Sequence, residues 1–383
     1  MNTANWRQFD VLLLGASLAL VGLGLALLYS GSLGLYGGDE PLLSGPVVRQ
    51  IGYALIGLVL MAALARFDYR GWSAYALPLY LLAMLALIVV LIFGDTVFGS
   101  RRWISFFGVQ MQPSEPAKLI TIVLLARIFT ADGGRYLSGR TFLRTLALAA
   151  LPAALVFVEP DLGTSVVFIA VWVGMVFVAG ARTRHLLLLV GVGAVLLPFV
   201  LIVALQGYQR ERLAVYLDPS RDPLGTGFNI NQASISIGSG GWTGKGLTEG
   251  TQTQGGFLRT QTTDYVFSVL GEELGFAGAM LLFGLFMIVL LRGLRIASRA
   301  RDPFGRLVAS GIVVMVLTQV FINVGVNTRL FPVTGIPLPF ISQGGSSLIT
   351  TLMAVGLLES IALRHRSSRF RAPASDRLML PGV

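Results

Sequence analysis

Charged side chains are scarce in this sequence, so the few that sit among polar residues at the edges of apolar runs hold most of its capacity for chemistry. Asp264 is the foremost. It ends the polar stretch Thr260-Gln261-Thr262-Thr263-Asp264, just before an apolar run opening with Tyr265-Val266-Phe267. A lone carboxylate at the half-wet mouth of a helix can take a proton as a general base. It can equally complement the positive end of the helix dipole. The segment Gln112-Pro113-Ser114-Glu115-Pro116-Ala117-Lys118 opens another apolar run. There Ser114 is a candidate helix cap, and Pro116 is tolerated in a first turn that has no donor to lose. Glu115 and Lys118, three apart, share a helix face and can pair. Lys118 lies within the apolar run, where a cation is costly unless it faces a partner or a wet cavity. Asp161, in the turn Glu159-Pro160-Asp161-Leu162-Gly163-Thr164, is placed to cap the next run.

The sequence has no cysteine, which excludes disulfides, thiolate nucleophiles and Cys-ligated metals. Its two histidines, His185 and His365, fall at the opposite ends of the apolar runs from these acids. That argues against a His-based metal site or a Ser-His-Asp triad beside Asp264.

The elements that must position these groups are membrane spans. Of the 383 residues 54% are hydrophobic and 13% charged, and the mean hydropathy is +0.75, which excludes an ordinary soluble domain. About ten runs are long enough to cross a bilayer core as helices: 9–30, 47–65, 74–94, 116–130, 142–158, 163–180, 186–206, 265–291, 307–327 and 344–363. The expected fold is therefore an all-α polytopic integral membrane protein of about ten transmembrane helices. The first run lacks an A-x-A cleavage site and is longer than a signal-peptide core, so it stays as an anchor. An even number of spans puts both termini on one side. If that side is the cytoplasm, 19 of the 29 Lys and Arg residues fall in inner segments, as the positive-inside rule requires. Glu115, Lys118, Asp161 and Asp264 then share the outer face. The net charge of +10 is explained by short cytoplasmic loops and anionic headgroups rather than by nucleic acid. Residues 1–364 form the membrane domain, and 365–383 read as a basic, solvated cytoplasmic tail.

The first three runs are rich in Gly and Leu and suit packing in lipid. The outer stretch Arg101-Arg102-Trp103-Ile104-Ser105-Phe106-Phe107 mixes aromatics and cations as interfacial segments do. One large extracytoplasmic loop, about 207–263, separates helices 7 and 8, and its length suggests function. Within it, 209–217 and 228–237 read as short surface helices. Gly238-Ser239-Gly240-Gly241-Trp242-Thr243-Gly244-Lys245-Gly246 fails as a P-loop, because Ser239 and Gly246 stand where Gly and Ser or Thr are needed. It is either a flexible turn or a loop whose amides and Lys245 face a pyrophosphate. Glu272 and Glu273 lie about 12 Å deeper than Asp264 and about 100° apart on the helix, so at least one faces other helices or water. Phe331 to Ser347 contains three prolines that forbid regular helix. It must be buried in protein or line a wet cavity.

Several segments together resemble the SEDS family of bacterial peptidoglycan glycan polymerases, its RodA branch rather than FtsW. They include Arg102-Trp103-Ile104, Gln112-Pro113-Ser114-Glu115 with Lys118, Pro160-Asp161-Leu162-Gly163-Thr164, Asp222-Pro223-Leu224-Gly225 and Gly238-Ser239-Gly240-Gly241. Gly244-Lys245-Gly246, Gly250-Thr251-Gln252-Thr253-Gln254, Thr263-Asp264, Glu272-Glu273-Leu274-Gly275 and Pro332-Val333-Thr334-Gly335-Ile336-Pro337-Leu338-Pro339-Phe340 complete the set. The chain departs from the pattern in two places. The family has Pro-Glu shortly before its Thr-Asp, where this chain has Arg259-Thr260 and then Gln261-Thr262, and an aromatic residue where Gln343 stands.

The resemblance implies an inverting glycosyltransferase that uses lipid II at the outer face of the bacterial cytoplasmic membrane and releases undecaprenyl pyrophosphate. Asp264 would be the general base. Lys118 or an outer Arg such as Arg102, with or without a divalent cation, would stabilise the pyrophosphate, while Glu115 and Asp161 orient those groups. Lys245, Thr263, Gln343 and Ser346 complete the implied binding or supporting set. Implied partners are membrane lipids and a single-span class B penicillin-binding protein that crosslinks the strands. The alternative is a lipid-precursor flippase or transporter, with Glu272 and Glu273 as ion or substrate groups. A non-catalytic scaffold for cell-wall partners is a third reading. Chemistry-capable residues gathered at one rim favour the enzyme, because a flippase needs polar groups through both leaflets.

Overall fold

The computed structural model describes residues 8–36, 45–97, 100–106, 109–132, 137–181, 187, 191, 207–223, 225–258 and 260–364. Nine of the ten predicted runs fall on helices: α1 (Val11–Tyr36), α2 (Gly45–Arg66), α3 (Trp72–Phe93), α4 (Ser114–Ala131), α5 (Gly139–Val158) and α6 (Leu162–Val178), then, after the large loop, α10 (Val266–Arg299), α11 (Pro303–Asn327) and α12 (Gly345–Leu363). Almost all of the run 186–206, and the tail 365–383, lie outside the described residues. The loop carries α7 (Gly207–Leu217), α8 (Thr226–Ser239) and the single turn α9 (Thr251–Gln254), close to the two surface helices expected there.

Seven of the described helices are long and apolar enough to cross a membrane. The exceptions among the predicted spans have local causes: α4 carries Glu115, Lys118 and Arg127, and α6 has 17 residues. The outer faces of α2 and α3 expose Leu55, Val59, Leu81 and Phe93, the pattern of helices solvated by lipid rather than water. The centre is built from α11 and α12, whose spans are 72% and 83% buried. α12 packs along α2, and α11 lies against α4, α6 and α10. At the end of the bundle away from Asp264, Arg292 pairs with Asp10 (2.6 Å) and Arg70 with Asp302 (2.8 Å), tying α10 to the start of α1 and the α2–α3 turn to the cap of α11.

Three details differ from the sequence reading. The stretch after α3 is an antiparallel meander, β1 (Asp95–Val97), β2 (Ser100–Phe106) and β3 (Val109–Met111), with Asp95 opposite Trp103 and Ile104 opposite Met111. Ser114 is the first residue of α4 and makes no cap hydrogen bond. The preceding Pro113 is already helical, and the Gln112 carbonyl takes the Glu115 N–H at 3.2 Å. α10, at 34 residues, runs beyond its predicted end and is broken at Gly275, where φ is 61° and ψ −158°.

That break leaves backbone groups that a membrane helix cannot leave bare. The glycine-rich loop 240–246 supplies them. Lys245 and Gly246 donate their N–H groups to the Glu272 and Glu273 carbonyls, both at 3.0 Å, and Phe276 and Ala277 donate to the Gly241 and Trp242 carbonyls, both at 2.9 Å. Contact is close enough that a Cβ on Gly275 would sit 2.3 Å from the Gly244 nitrogen. Gly275→Ala therefore combines a left-handed backbone with a direct clash. It should lower stability by roughly 1–3 kcal/mol, read as a lower unfolding midpoint in detergent; an unchanged midpoint would mean that loop and helix are not locked together.

Candidate active site

The elements at the Asp264 end of the bundle enclose a cavity of about 730 Å³. One wall is the first turns of α2, with Arg49, Gln50 and Tyr53; the sheet adds Arg102 and Trp103, α7 adds Arg212 and α8 adds Asn229. Thr263, Asp264 and Tyr265 lie on the approach to α10, and the proline-rich loop contributes Val333, Gly335 and Gln343. As its prolines require, that loop is non-helical. Among the described lining residues there are three arginines and one carboxylate.

Asp264 is fixed through its backbone. Thr260 O accepts the N–H groups of Thr263 (3.2 Å) and Asp264 (3.1 Å). Asp264 O accepts from Asn327 Nδ2 (2.9 Å) and Asn323 Nδ2 (3.3 Å) on α11, and Asn327 Oδ1 receives the N–H and hydroxyl of Ser268 (3.1 and 2.7 Å). The start of α10 is thus pinned to α11, leaving the carboxylate to the cavity. Burial pushes the Asp264 carboxyl above the usual carboxylate range, opposed by Arg212 and Arg102. A base raised in this way binds a proton more strongly at the moment of reaction.

Arg102 is held from behind. Its Nε donates to Glu159 O (3.1 Å), Nη2 to Pro160 O, and Nη1 lies 3.6 Å from Asp161 Oδ2. Asp161 also caps α6 through Thr164 N (3.1 Å) and accepts from Gln112 Nε2 (3.3 Å), while Gln112 N donates to Ser346 Oγ (2.9 Å). Asp161 and Ser346 accordingly support the wall that presents Arg102.

Of the residues singled out in the sequence, Arg102, Thr263, Asp264 and Gln343 line the cavity, and Asp161 and Ser346 stand behind it. Glu115 and Lys118 pair at 2.8 Å with both side chains almost fully enclosed in α4's packing, so the pair neutralises itself within the bundle. Lys245 is bound to Glu272 (2.8 Å), whose carboxylate also accepts the N–H groups of Gln252 (2.9 Å) and Thr253 (3.0 Å). Glu273 accepts from Ser30 of α1. Both carboxylates of the transporter alternative are thereby engaged in fastening the loop and α1. Sequence reasoning passed over Arg49 and Arg212 as site residues. Their signal was available: they are outer cations standing against the positive-inside bias.

The two segments that depart from the family pattern meet at the cavity edge. Gln343 N donates to Thr262 O, and Thr262 Oγ1 donates to Gln343 Oε1, both at 2.8 Å. Arg259 lies outside the described residues. No group of three His, Cys, Asp or Glu side chains converges as a metal site among the described residues.

A bundle of apolar helices with a polar, cation-lined cavity at one end defines a polytopic membrane protein. The family follows from relatives. A family model described as cell cycle protein, taking in FtsW, RodA and SpoVE, matches residues 11–367, and the chain belongs to that family. Peptidoglycan glycosyltransferase MrdB of Escherichia coli K12 is 38% identical over 320 residues, 83% of this chain and 85% of the relative. A solved structure on the coordination of polymerization and crosslinking by a peptidoglycan synthase complex matches with a TM-score of 0.78 at 32% identity, covering 93% of this chain and 98% of the other. Rod shape determining protein RodA of Thermus thermophilus matches with a TM-score of 0.68 at 30% identity, covering 93% and 97%. The chain is thus a RodA-like integral protein of the bacterial inner membrane.

Glu159, at the end of α5 behind Arg102, is buried, and burial, reinforced by Asp161, pushes its carboxyl up to about 8 against the pull of Arg102. A raised carboxyl favours folding fully below its ordinary value near 4.5, and that contribution is lost as pH rises through 8. Glu159→Gln should therefore gain thermal stability relative to the parent as pH is raised from 6 to 9, followed by unfolding in detergent at each pH.

Proposed function

We propose that the chain is a peptidoglycan glycosyltransferase that extends a lipid-linked glycan strand on lipid II, with Asp264 as general base at the outer face of the membrane. The observation that carries this reading is a cavity in which a single lining carboxylate is accompanied by three arginines. In a single displacement, the acceptor hydroxyl oxygen bonds to the donor's anomeric carbon as the bond from that carbon to the pyrophosphate oxygen breaks, inverting its configuration. Asp264 takes the hydroxyl proton. Undecaprenyl pyrophosphate leaves as an anion and needs cations where its charge develops, which Arg49, Arg102 and Arg212 supply. A covalent route would need a second carboxylate near the first; among the described lining residues Asp264 is the only acid.

Lipid tails require the cavity to open to the bilayer side, and the exposed face of α2 beside Arg49 fits that need. Both termini are cytoplasmic in this reading, as the arginine distribution supports. The crosslinking partner is a single-span class B penicillin-binding protein, by analogy with the peptidoglycan synthase complex, described as coordinating polymerization and crosslinking, of which this chain resembles one chain.

Asp264→Asn should fold and insert but lose polymerisation of purified lipid II by roughly 10²-fold or more; polymer formed at the parental rate would remove Asp264 from the chemistry. With the base required in its ionised form, activity should rise with pH along an acidic limb above the ordinary carboxylate range. Arg102→Gln removes a cation that opposes burial and should move that limb to higher pH. A limb at the ordinary carboxylate pKa, or unmoved in the variant, would count against this electrostatic account.

A further inference from the structure

We propose that the side-chain amide of Gln343, oriented by Thr262, donates a hydrogen bond to an uncharged oxygen of the acceptor sugar beside Asp264. This rests on the glycosyltransferase reading above and assigns a determinant of substrate recognition within the same site.

The orientation is set by one hydrogen bond. The Thr262 hydroxyl donates to Gln343 Oε1 at 2.8 Å. With the amide oxygen turned toward Thr262, the amide nitrogen faces away from it. No described protein group accepts from that nitrogen, and the residue lines the cavity. Two N–H donors are therefore presented to whatever fills the site.

The backbone beneath is held on both sides. Gln343 N donates to Thr262 O at 2.8 Å. Gln50 of α2 receives the Gly344 N–H and donates to Ser342 O, both at 3.2 Å, and Ser342 Oγ donates to Thr263 O at 2.6 Å. A donor fixed in this way loses little freedom on binding.

Its chemistry differs from the rest of the wall. The guanidiniums are charge-assisted donors suited to phosphate oxygens, whereas a neutral amide suits a hydroxyl or acetamido oxygen. Thr262 precedes Asp264 by two residues, so the oxygen it reads belongs beside the reacting hydroxyl. A site built to hydrogen-bond a substrate group discriminates strongly against its loss.

The test is lipid II polymerisation by the purified full-length protein, with inorganic pyrophosphate as an inhibitor. Gln343→Met keeps the length and removes both donors. It should raise KM for lipid II roughly tenfold, leave kcat within about twofold as for lost uniform binding, and leave inhibition by pyrophosphate unchanged. Thr262→Val frees the amide to turn; it should raise KM by about threefold alone and add nothing to Gln343→Met, as coupled positions do. A kcat loss without a KM change, an unchanged KM in both single variants, or a parallel weakening of pyrophosphate inhibition would overturn the proposal. If Gln343→Met fails to fold, Thr262→Val carries the same decision. A parent protein that makes no polymer from lipid II would instead overturn the glycosyltransferase reading, so the two failures are distinguishable.

Discussion

Backbone polar groups inside a bilayer have no water to turn to, and the outer half of this protein is arranged around the one place where a long helix breaks that regularity. At Gly275 the helical ladder of α10 is interrupted, and the loop 240–246 lends amides and carbonyls to close it. The same contact draws Lys245 onto Glu272 and brings the α9 turn down over that carboxylate. Asp264, eight residues before Glu272, inherits its position from this join on one side and from Asn323 and Asn327 of α11 on the other.

Electrostatics divides the charged residues into two sets. Inside the bundle two pairs are matched one to one: Glu115 with Lys118, Asp10 with Arg292. Such pairs offset the cost of desolvation and present little field to a ligand. At the cavity the lining cations outnumber the lining acid. Arg49, Arg102 and Arg212 share it with Asp264, an excess that suits an anionic group, and Arg212 and Arg102 oppose the effect of burial on that carboxyl.

The spans were legible because hydropathy is a long-window property, and nine of ten runs became helices, most of them within a few residues of the expected ends. Asp264 was legible as a cavity residue because it joins a polar stretch to an apolar run. What failed was anything that depended on partners distant in sequence. A Gly-Lys-Gly stretch looks like an anion cradle, but its amides are occupied by the carbonyls of a helix break that nothing local announces. The meander at β2 was hidden because alternating aromatics and arginines also describe an interfacial segment. Thr262 and Gln343, 81 residues apart, carry no mark of one another in a single sequence.

The clasp on α10 also bears on the order of assembly. Lys245 and Glu272 are 27 residues apart, while Ser30 and Glu273 are separated by 243. Closing the shorter loop forfeits less chain entropy, and local contacts form before distant ones when topology governs rate. The loop and the outer turns of α10 can therefore join as a hairpin-like unit while α1 is still undocked. Ser30 then meets a carboxylate already in place, so α1 docks onto a join that has closed without it.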